Sequence, residues 1–341
     1  MAEKITPTQL LYLNDSVSIF DVRSPSEFLQ GHVPSARNLP LFSDAERAAV
    51  GTKYKNASPE KALLLGLELV GPKLSQFVQK AKKFSKSNSV VLHCWRGGKR
   101  SSSMAWLLEL AGFEVRLLEG GYKKYRQFLL NELDLSPYEF VVLGGKTGSG
   151  KTHILHELAQ LGEQVIDLEK IANHKGSAFG ELENLPQPTT EQFENQLLTE
   201  LFFLNPTKRI WIENESRTIG KNSIPQHFWD KKIASTLIDL DIPFDTRVNN
   251  IIADYQENSS EMLINSFQKI HKKIGGLQFK NAIQAVESGD LAAAAAVALQ
   301  YYDKTYSHCL AVNVSQNIQT FKFENENFCQ IAMSLLININ K

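Results

Sequence analysis

The feature that most constrains the fold of this chain is the motif Gly-x-x-x-x-Gly-Lys-Thr at residues 145–152. The apolar residues 140–143 before it are typical of a buried strand, and residues 153–161 after it have the apolar spacing of a helix. A glycine-rich turn between a strand and a helix N-terminus lets backbone N–H groups surround a diphosphate, while the lysine reaches its outer phosphate and the threonine can ligate Mg²⁺. The motif predicts an α/β domain whose diphosphate-binding residues are Gly145, Lys146, Thr147, Gly148, Ser149, Gly150, Lys151 and Thr152.

A second strand–loop–helix pattern surrounds Cys94. Residues 89–92 are short, apolar and β-branched, as in a buried strand, and residues 102–110 have helical spacing. A cysteine at such a helix N-terminus reaches a pKa of roughly 3.5–7.5, because the helix dipole and backbone N–H donors favour the thiolate. The pattern predicts a catalytic nucleophile, Cys94, for an anionic substrate. Its predicted anion loop comprises Trp95, Arg96, Gly97, Gly98, Lys99, Arg100 and Ser101.

Composition limits the class of protein. At 341 residues the chain is long enough for about two domains. Lys+Arg and Asp+Glu both number 37, so any polyanion must be held by local basic patches rather than by net charge. The three cysteines are far apart and odd in number, which disfavours a disulfide framework or a zinc site. No signal peptide or bilayer-length apolar run is present, so we expect a cytoplasmic protein.

Carboxylates mark a possible metal site in the second half of the chain. Residues 209–215 are typical of a strand that ends in acidic side chains, where a phosphate-binding domain of this kind places a second Mg²⁺ ligand. We therefore expect Thr152 with Glu213 or Glu215 to bind Mg²⁺; the alternative is a salt bridge at the strand end. From residue 246 to about residue 300 the pattern is helical.

Four segments of the first half resemble the signature of rhodanese domains: Asp-Val-Arg at 21–23, Glu-Phe at 27–28, Gly-His-Val-Pro-Ser-Ala at 31–36, and the closing Leu-Leu-Glu-Gly-Gly-Tyr at 117–122. Cys94 then occupies the position of that family's catalytic cysteine. The spacing from Cys94 to Arg100 is Cys-x5-Arg, one residue longer than the usual sulfurtransferase loop. It also fits the phosphatase signature His-Cys-x5-Arg-Ser, which keeps a phosphatase as an alternative.

The two patterns in this order resemble the tRNA 2-selenouridine synthase family. The stretches 172–180 and 215–220 add to the resemblance, because neither is a general feature of P-loop domains. It implies a rhodanese-like domain at residues 1–134. A P-loop NTPase-like α/β domain would follow at 135–341, with a helical portion around 246–300. Within the two family-specific stretches, His174 and Arg217 are candidate substrate contacts, with structural roles as the alternative.

The resemblance also implies the chemistry. A wobble-position 2-thiouridine in tRNA would become 2-selenouridine, with selenophosphate as donor, through an S-geranylated intermediate made from geranyl diphosphate. Mg²⁺ would assist the diphosphate, and no tightly bound cofactor is expected. An apolar groove should lie near the P-loop for the ten-carbon tail. Basic residues should hold the tRNA backbone, from the set Lys53, Lys55, Lys123, Lys124, Arg126, Lys272 and Lys273.

Three other functions stay open from the sequence. A rhodanese-type sulfurtransferase with an accessory NTPase domain would transfer sulfur and hydrolyse nucleotide. A Cys-x5-Arg phosphatase would act on phosphoesters through Cys94. A tRNA-binding module without catalysis is the third, and the intact nucleophile loop disfavours it.

Overall fold

The structure is a computed structural model that describes residues 2–177, 179, 185–255, 259–312, 317–324 and 326–339. The chain divides into two compact units, each built on a five-stranded parallel sheet. The first comprises Met1–Leu135 and Glu191–Phe202, and the second comprises Ser136–Thr190 and Phe203–Lys341. Among the described residues, no helix has the length and apolar character needed to cross a bilayer.

The first unit has a sheet with the catalytic-loop strand at its centre. Its elements are β1 (Glu3–Ile5), α1 (Pro7–Leu11), β2 (Ser18–Asp21), α2 (Pro25–Gln30), β3 (Arg37–Asn38), α3 (Asp44–Asn56), α4 (Pro59–Val70), a 3₁₀ turn (Gly71–Lys73), α5 (Leu74–Phe84), β4 (Ser89–His93), α6 (Lys99–Leu110), β5 (Glu114–Leu118), α7 (Gly121–Leu135) and, from further along the chain, α10 (Thr190–Phe202). The strand order is β1-β5-β4-β2-β3. Strand β4 therefore pairs on both sides, which fits its unbroken apolar sequence.

The helix after the cysteine loop begins earlier than its apolar spacing predicts. Helix α6 starts at Lys99 rather than at Ser102, and Gly98 is its N-cap. The first turn contains polar residues that apolar periodicity does not detect. Met104 and Leu108, four residues apart, are fully buried against the strands and fix the helix on the sheet.

Residues 191–202, which the sequence assigned to the second domain, pack in the first unit. The Tyr122 hydroxyl donates to Glu191 Oε1 at 2.7 Å and accepts from Asn195 Nδ2 at 2.7 Å. The Tyr125 and Thr199 hydroxyls lie 2.7 Å apart. Buried tyrosine hydroxyls need such partners, and helix α7 supplies none for them. Helix α10 therefore completes the first unit although it lies between strands of the second in sequence.

The second unit has the phosphate-binding strand at the centre of its sheet. Its elements are β6 (Phe140–Gly145), α8 (Lys151–Gln160), β7 (Gln164–Ile166), α9 (Leu168–Ala172), β8 (Ile210–Glu213), β9 (Thr218–Ile219), β10 (Asn222–Ser223), α11 (Gln226–Ile233), β11 (Thr236–Asp241), α12 (Phe244–Tyr255), α13 (Ser260–Ile274), α14 (Gly276–Glu287), α15 (Leu291–Val312), β12 (Ile318–Lys322) and α16 (Phe328–Ile339). The strand order is β12-β11-β6-β8-β7, and β9 pairs with β10 as a separate antiparallel hairpin.

Strand register brings the phosphate-binding loop and a carboxylate to the same edge of this sheet. In β6 and β8, Leu143 is paired with Glu213, and in β6 and β11, Gly145 is paired with Leu240. Ligands of parallel α/β sheets bind at the carboxyl ends of the strands. The helices α12–α15 form the predicted helical portion, which begins at Phe244 and extends to Val312, beyond the predicted end near residue 300.

Candidate functional site

Cys94 lies directly after β4, in a loop whose donors surround its sulfur. The Gly98 N–H donates to Sγ at 3.3 Å, and the Ser101 hydroxyl lies 3.3 Å from Sγ. Burial raises the pKa of the Cys94 thiol. Hydrogen bonds from the Ser101 side chain and from backbone N–H groups, including those of Arg96 and Gly98, outweigh it, so the pKa lies below its ordinary value. The loop therefore favours a thiolate.

Backbone hydrogen bonds from the segment that follows β5 fix the cysteine loop. The N–H groups of Tyr122 and Lys123 donate to the carbonyls of Cys94 and Trp95, at 2.9 and 3.0 Å. Gly121 has φ +62°, and a β-carbon there would lie 2.3 Å from the Cys94 carbonyl oxygen. Glycine at position 121 is thus required by the close approach of two backbones.

The three predicted cations of the loop differ in their surroundings. Arg96 and Lys99 are exposed to solvent. Arg100 instead forms a bidentate ion pair with Glu27, in which its two terminal nitrogens donate to the two carboxylate oxygens. Burial raises the pKa of Glu27, but the hydrogen bond and charge of Arg100 outweigh it and lower that pKa. Arg100 therefore contributes less free positive charge to an anion than the sequence suggests.

Asp21 and Arg23 of the rhodanese signature form a buried ion pair. Both side chains are fully buried, and the Arg23 guanidinium donates to both Asp21 oxygens and to the Gly31 carbonyl. The same guanidinium lies 3.9 Å from the centroid of the Tyr122 ring. The pair thus supports the residue that anchors the cysteine loop.

The phosphate-binding loop has the strand–loop–helix geometry that its motif predicts. Gly148 and Gly150 have φ +81° and +77°, values that other residues rarely adopt. A β-carbon at Gly150 would lie 2.3 Å from the ring of Phe328. Lys151 Nζ donates to the Gly145 carbonyl at 3.2 Å. The lysine side chain therefore folds back over the loop, and a bound phosphate would replace this carbonyl as its acceptor.

Helical residues far along the chain fix this loop, and sequence reasoning did not identify them. The Gly145 N–H donates to the Tyr306 hydroxyl at 2.7 Å. Arg247 donates to the Thr147 carbonyl at 3.1 Å and forms an ion pair with Asp303 at 2.7 Å. No sequence signal marks these residues, because the contacts span a hundred residues or more.

Three carboxylates meet beside the loop, one more than the sequence predicts. Oxygens of Glu169, Glu213 and Glu215 lie within 4.8 Å of one another. The Thr152 hydroxyl lies 2.7 Å from Glu213 Oε1 and 3.3 Å from Glu169 Oε2. Buried Glu213 Oε2 has no hydrogen-bond partner among the described residues. Glu169, in α9, was not predicted as a metal ligand. The carboxylates face one another, and the positive charges of Lys151 and Lys232 also act on Glu215, so the salt bridge considered for the strand end stays open for that residue.

The electrostatics of this cluster fit a site for a divalent cation. Burial, and then the charge of Glu215, raises the pKa of Glu169 to about 8. Burial and the neighbouring carboxylates raise the pKa of Glu213 well above its usual range. Lys232 lies on the other side, donating to the Glu215 carbonyl at 2.8 Å, and burial lowers its pKa to about 8. Carboxylate oxygens are ligands that Mg²⁺ prefers, and a bound cation would offset the repulsion among these carboxylates when they are ionised.

The two candidate substrate contacts occupy different places. His174 is buried, and its backbone N–H donates to the backbone carbonyl of Glu169 at 3.0 Å, in the turn that ends α9. Its neighbour Gly176 packs against the carboxylates of Glu169 and Glu215. Arg217 is exposed and donates to Gln226. Residues 178 and 180 of the family-specific stretch lie outside the described residues.

An apolar pocket adjoins the phosphate-binding loop within the second unit. Thr147 of the loop forms part of its wall, and helices α12–α15 supply most of the remainder. Its apolar lining includes Phe179, Ile251, Tyr255, Phe267, Ala295 and Tyr302. An apolar pocket is therefore present near the P-loop, but its volume is only about 60 Å³, so a groove that holds a whole ten-carbon tail stays a prediction.

The basic residues expected to hold tRNA differ in their exposure to solvent. The lysines are exposed, namely Lys53, Lys55, Lys123, Lys124, Lys272 and Lys273. Arg126 is instead largely buried and donates to Glu194 and Asn195. Its charge is used to hold helix α10, so it does not belong with the candidate tRNA contacts. Lys124 is also paired, with Glu119 at 2.8 Å.

The fold and the two sites define a protein in which a rhodanese-like domain with a cysteine loop is joined to a P-loop domain. Residues 6–128 match the model of the rhodanese-like domain, and residues 138–333 match that of the tRNA 2-selenouridine synthase AAA domain. The chain belongs to the tRNA 2-selenouridine synthase family.

Relatives that carry the name tRNA 2-selenouridine synthase are similar over most of the chain. The protein of Bdellovibrio bacteriovorus is 44% identical over 76% of this chain and 70% of its own length. That of Nitrosomonas eutropha is 36% identical over 79% of each chain. That of Shewanella denitrificans is 36% identical over 88% of this chain and 81% of its own.

Proposed function

We propose that this protein converts wobble-position 2-thiouridine in tRNA to 2-selenouridine in two steps. Geranyl diphosphate first alkylates the thiouridine sulfur, and selenophosphate then replaces that sulfur with selenium. Membership of the family supports the overall conversion. The division of labour assigns the prenyl step to the P-loop domain and the selenium step to the Cys94 loop.

The apolar pocket beside Thr147 carries the assignment of the prenyl step. A P-loop recognises only the diphosphate, so what adjoins it determines which diphosphate fits. Here the adjoining walls are aromatic and aliphatic side chains of α12–α15. Such a lining suits a branched hydrocarbon tail, since transfer of apolar surface out of water stabilises the complex. Tyr306 and Arg247, from the same helices, hold the loop itself.

The diphosphate must leave with its charge stabilised. Lys151 supplies a fixed cation, and the loop N–H groups supply further donors. Glu169, Glu213, Glu215 and Thr152 would hold Mg²⁺, which when bound supplies charge neutralisation to the diphosphate oxygens.

The selenium step is balanced without an oxidant. S-geranyl-2-thiouridine, selenophosphate and water give 2-selenouridine, geranylthiol and phosphate: selenium bonds to C2, the C2–S and Se–P bonds break, and water supplies the phosphate oxygen. Alkylation matters because it converts the thione sulfur into a thioether that can leave. The loop of Cys94 would bind the selenophosphate anion, and the Cys94 thiolate would attack its phosphorus: the Sγ–P bond forms and the P–Se bond breaks, which releases hydroselenide for C2. Water then hydrolyses the Sγ–P bond, which gives phosphate and the free thiol.

Purified Lys151→Ala protein tests the division of labour. Geranylation of 2-thiouridine tRNA should fall about a hundredfold or more, as is typical for loss of one charge-stabilising group. Pre-geranylated tRNA should still be converted with selenophosphate, and Cys94→Ser should show the reverse. Lys208→Ala, an exposed lysine of the same unit, is the matched control.

Other outcomes would favour the rival functions. A requirement for ATP hydrolysis in the wild-type reaction would favour a sulfurtransferase with an accessory NTPase. Efficient Cys94-dependent hydrolysis of aryl phosphates would favour the phosphatase. The pairing of Arg100 with Glu27 opposes the phosphatase, because that guanidinium already has an anion.

A further inference from the structure

A cleft of about 850 Å³ opens in front of Cys94, entirely within the first unit. Its size is that of a small-molecule site. The cysteine loop and the start of α6 form one wall, and helices α3 and α4 form the other. Nothing in the anion chemistry of Cys94 requires a cavity this large, because selenophosphate fills only the loop.

Helix α4 presents one apolar stripe to the cleft. The cleft-lining positions 59, 62, 63, 66, 67 and 70 follow the spacing of a single helical face. Leu63 and Leu67 on this stripe are 45% and 59% exposed, which is unusual for leucines that face a cavity wall. Ala62 and Gly66 between them are small and leave room for a ligand. The stripe spans about 16 Å at 1.5 Å per residue.

The walls of the cleft are mostly apolar, although Arg47 and Lys55 of α3 also line it, and its cysteine end is cationic. Val50 and Tyr54 of α3 extend the apolar wall, and Arg96 and Lys99 stand beside Cys94. This distribution complements a ligand with a hydrocarbon chain at one end and an anionic group at the other.

We propose that this cleft binds the geranyl chain of the S-geranylated nucleoside while selenium replaces the sulfur. The inference rests on the proposed function. In that step the C2–S bond must lie next to the donor in the Cys94 loop, so the chain attached to that sulfur must lie within the adjoining cavity. The molecule then has two prenyl sites: the pocket at Thr147 receives the diphosphate ester, and this cleft receives the thioether.

Protection of Cys94 from iodoacetamide tests the cleft directly, with mass spectrometry of the peptide that carries Cys94 as readout. The S-geranyl-2-thiouridine nucleoside should slow alkylation about tenfold at saturation, and the S-methyl nucleoside should not. Leu63→Glu combined with Leu67→Glu should abolish the protection without changing alkylation of the free protein. Leu64→Glu, on the same helix, 54% exposed and outside the cleft, should retain it. Equal protection by both nucleosides, or protection that persists in the double variant, overturns the inference.

Kinetics separate this inference from the proposed function. With S-geranyl-2-thiouridine tRNA and selenophosphate, the double variant should lose about tenfold in kcat/KM, while its geranylation activity stays unchanged. If wild-type protein fails to convert this tRNA, the proposed function is wrong, and the alkylation experiment still decides whether the cleft binds a geranyl chain. An unchanged kcat/KM in the double variant contradicts the cleft's role.

Discussion

The Tyr306 hydroxyl accepts a hydrogen bond from the Gly145 N–H and lies 2.5 Å from Asp239 Oδ1, to which it donates. Gly145 begins the phosphate-binding loop, and Tyr306 belongs to the helix α15 that also lines the apolar pocket through Tyr302. One helix therefore contacts both the site for the diphosphate and the site for an apolar tail. We expect the two sites to be coupled through this helix.

Tyr306→Phe should weaken binding of Mg²⁺-pyrophosphate. The change removes the acceptor of the Gly145 N–H and the donor to Asp239, and the loss of such bonds costs about 1–2 kcal/mol, or about tenfold in affinity. Isothermal titration calorimetry measures it, with Tyr301→Phe on the same helix as the control. Affinity equal to that of wild type would show that the loop holds its shape without this tyrosine.

Ser101→Ala should raise the pKa of the Cys94 thiol, because the Ser101 side chain is the largest of the hydrogen-bonding contributions that lower it. The pH dependence of iodoacetamide alkylation at Cys94 reports this pKa, and the midpoint should move to higher pH. Ser102→Ala is the control, since Ser102 lies in the same turn but bonds to the Gly98 and Lys99 carbonyls. A midpoint unmoved by Ser101→Ala would assign the low pKa to the backbone donors alone.

Gly121→Ala should disrupt the cysteine loop. A methyl group there meets the Cys94 carbonyl oxygen at 2.3 Å, in addition to the strain of φ +62°. Gly112→Ala is matched, because φ there is +90° but no atom lies within 4 Å of the added carbon. The control should cost about 1 kcal/mol of unfolding free energy, and Gly121→Ala should cost more and also slow Cys94 alkylation. Equal losses in urea denaturation would remove the steric argument.

The carboxylate cluster should make stability depend on pH and on Mg²⁺. Folding raises the pKa of Glu169 to about 8, so its contribution to the free energy of unfolding is present at low pH and lost as pH rises through about 8. Without metal, stability should therefore fall between pH 4.5, the ordinary pKa of a glutamate, and about pH 8, and Glu169→Gln should reduce the slope. Added Mg²⁺ should increase the free energy of unfolding most at the higher pH, where the carboxylates have released their protons. A metal-free stability that rises over this range would contradict the raised pKa.

Local sequence predicted the parts of the sites that are local. The strand, loop and helix at Cys94 and at Lys151 follow from apolar runs and glycines within about twenty residues. Tyr306 and Arg247 could not be predicted, because they reach the loop across 161 and 100 residues. Arg100 and Arg126 were expected to be free cations, but Glu27 and Glu194 engage them. Such pairing depends on tertiary packing, which charge patterns along the chain do not show.

Helix α10 bears on the order in which the chain acquires its structure during synthesis. The first unit lacks the partners of Tyr122 and Tyr125 until residues 191–202 leave the ribosome, by which time β6, the phosphate-binding loop and β7 have already been made. A truncation at residue 135 would produce a rhodanese-like fragment with its tyrosines uncovered. A fragment beginning at residue 136 would contain helix α10 without the first-unit residues against which it packs. Point variants of the full chain keep helix α10 with the first unit, so they dissect the two activities better than a cut at residue 135 does.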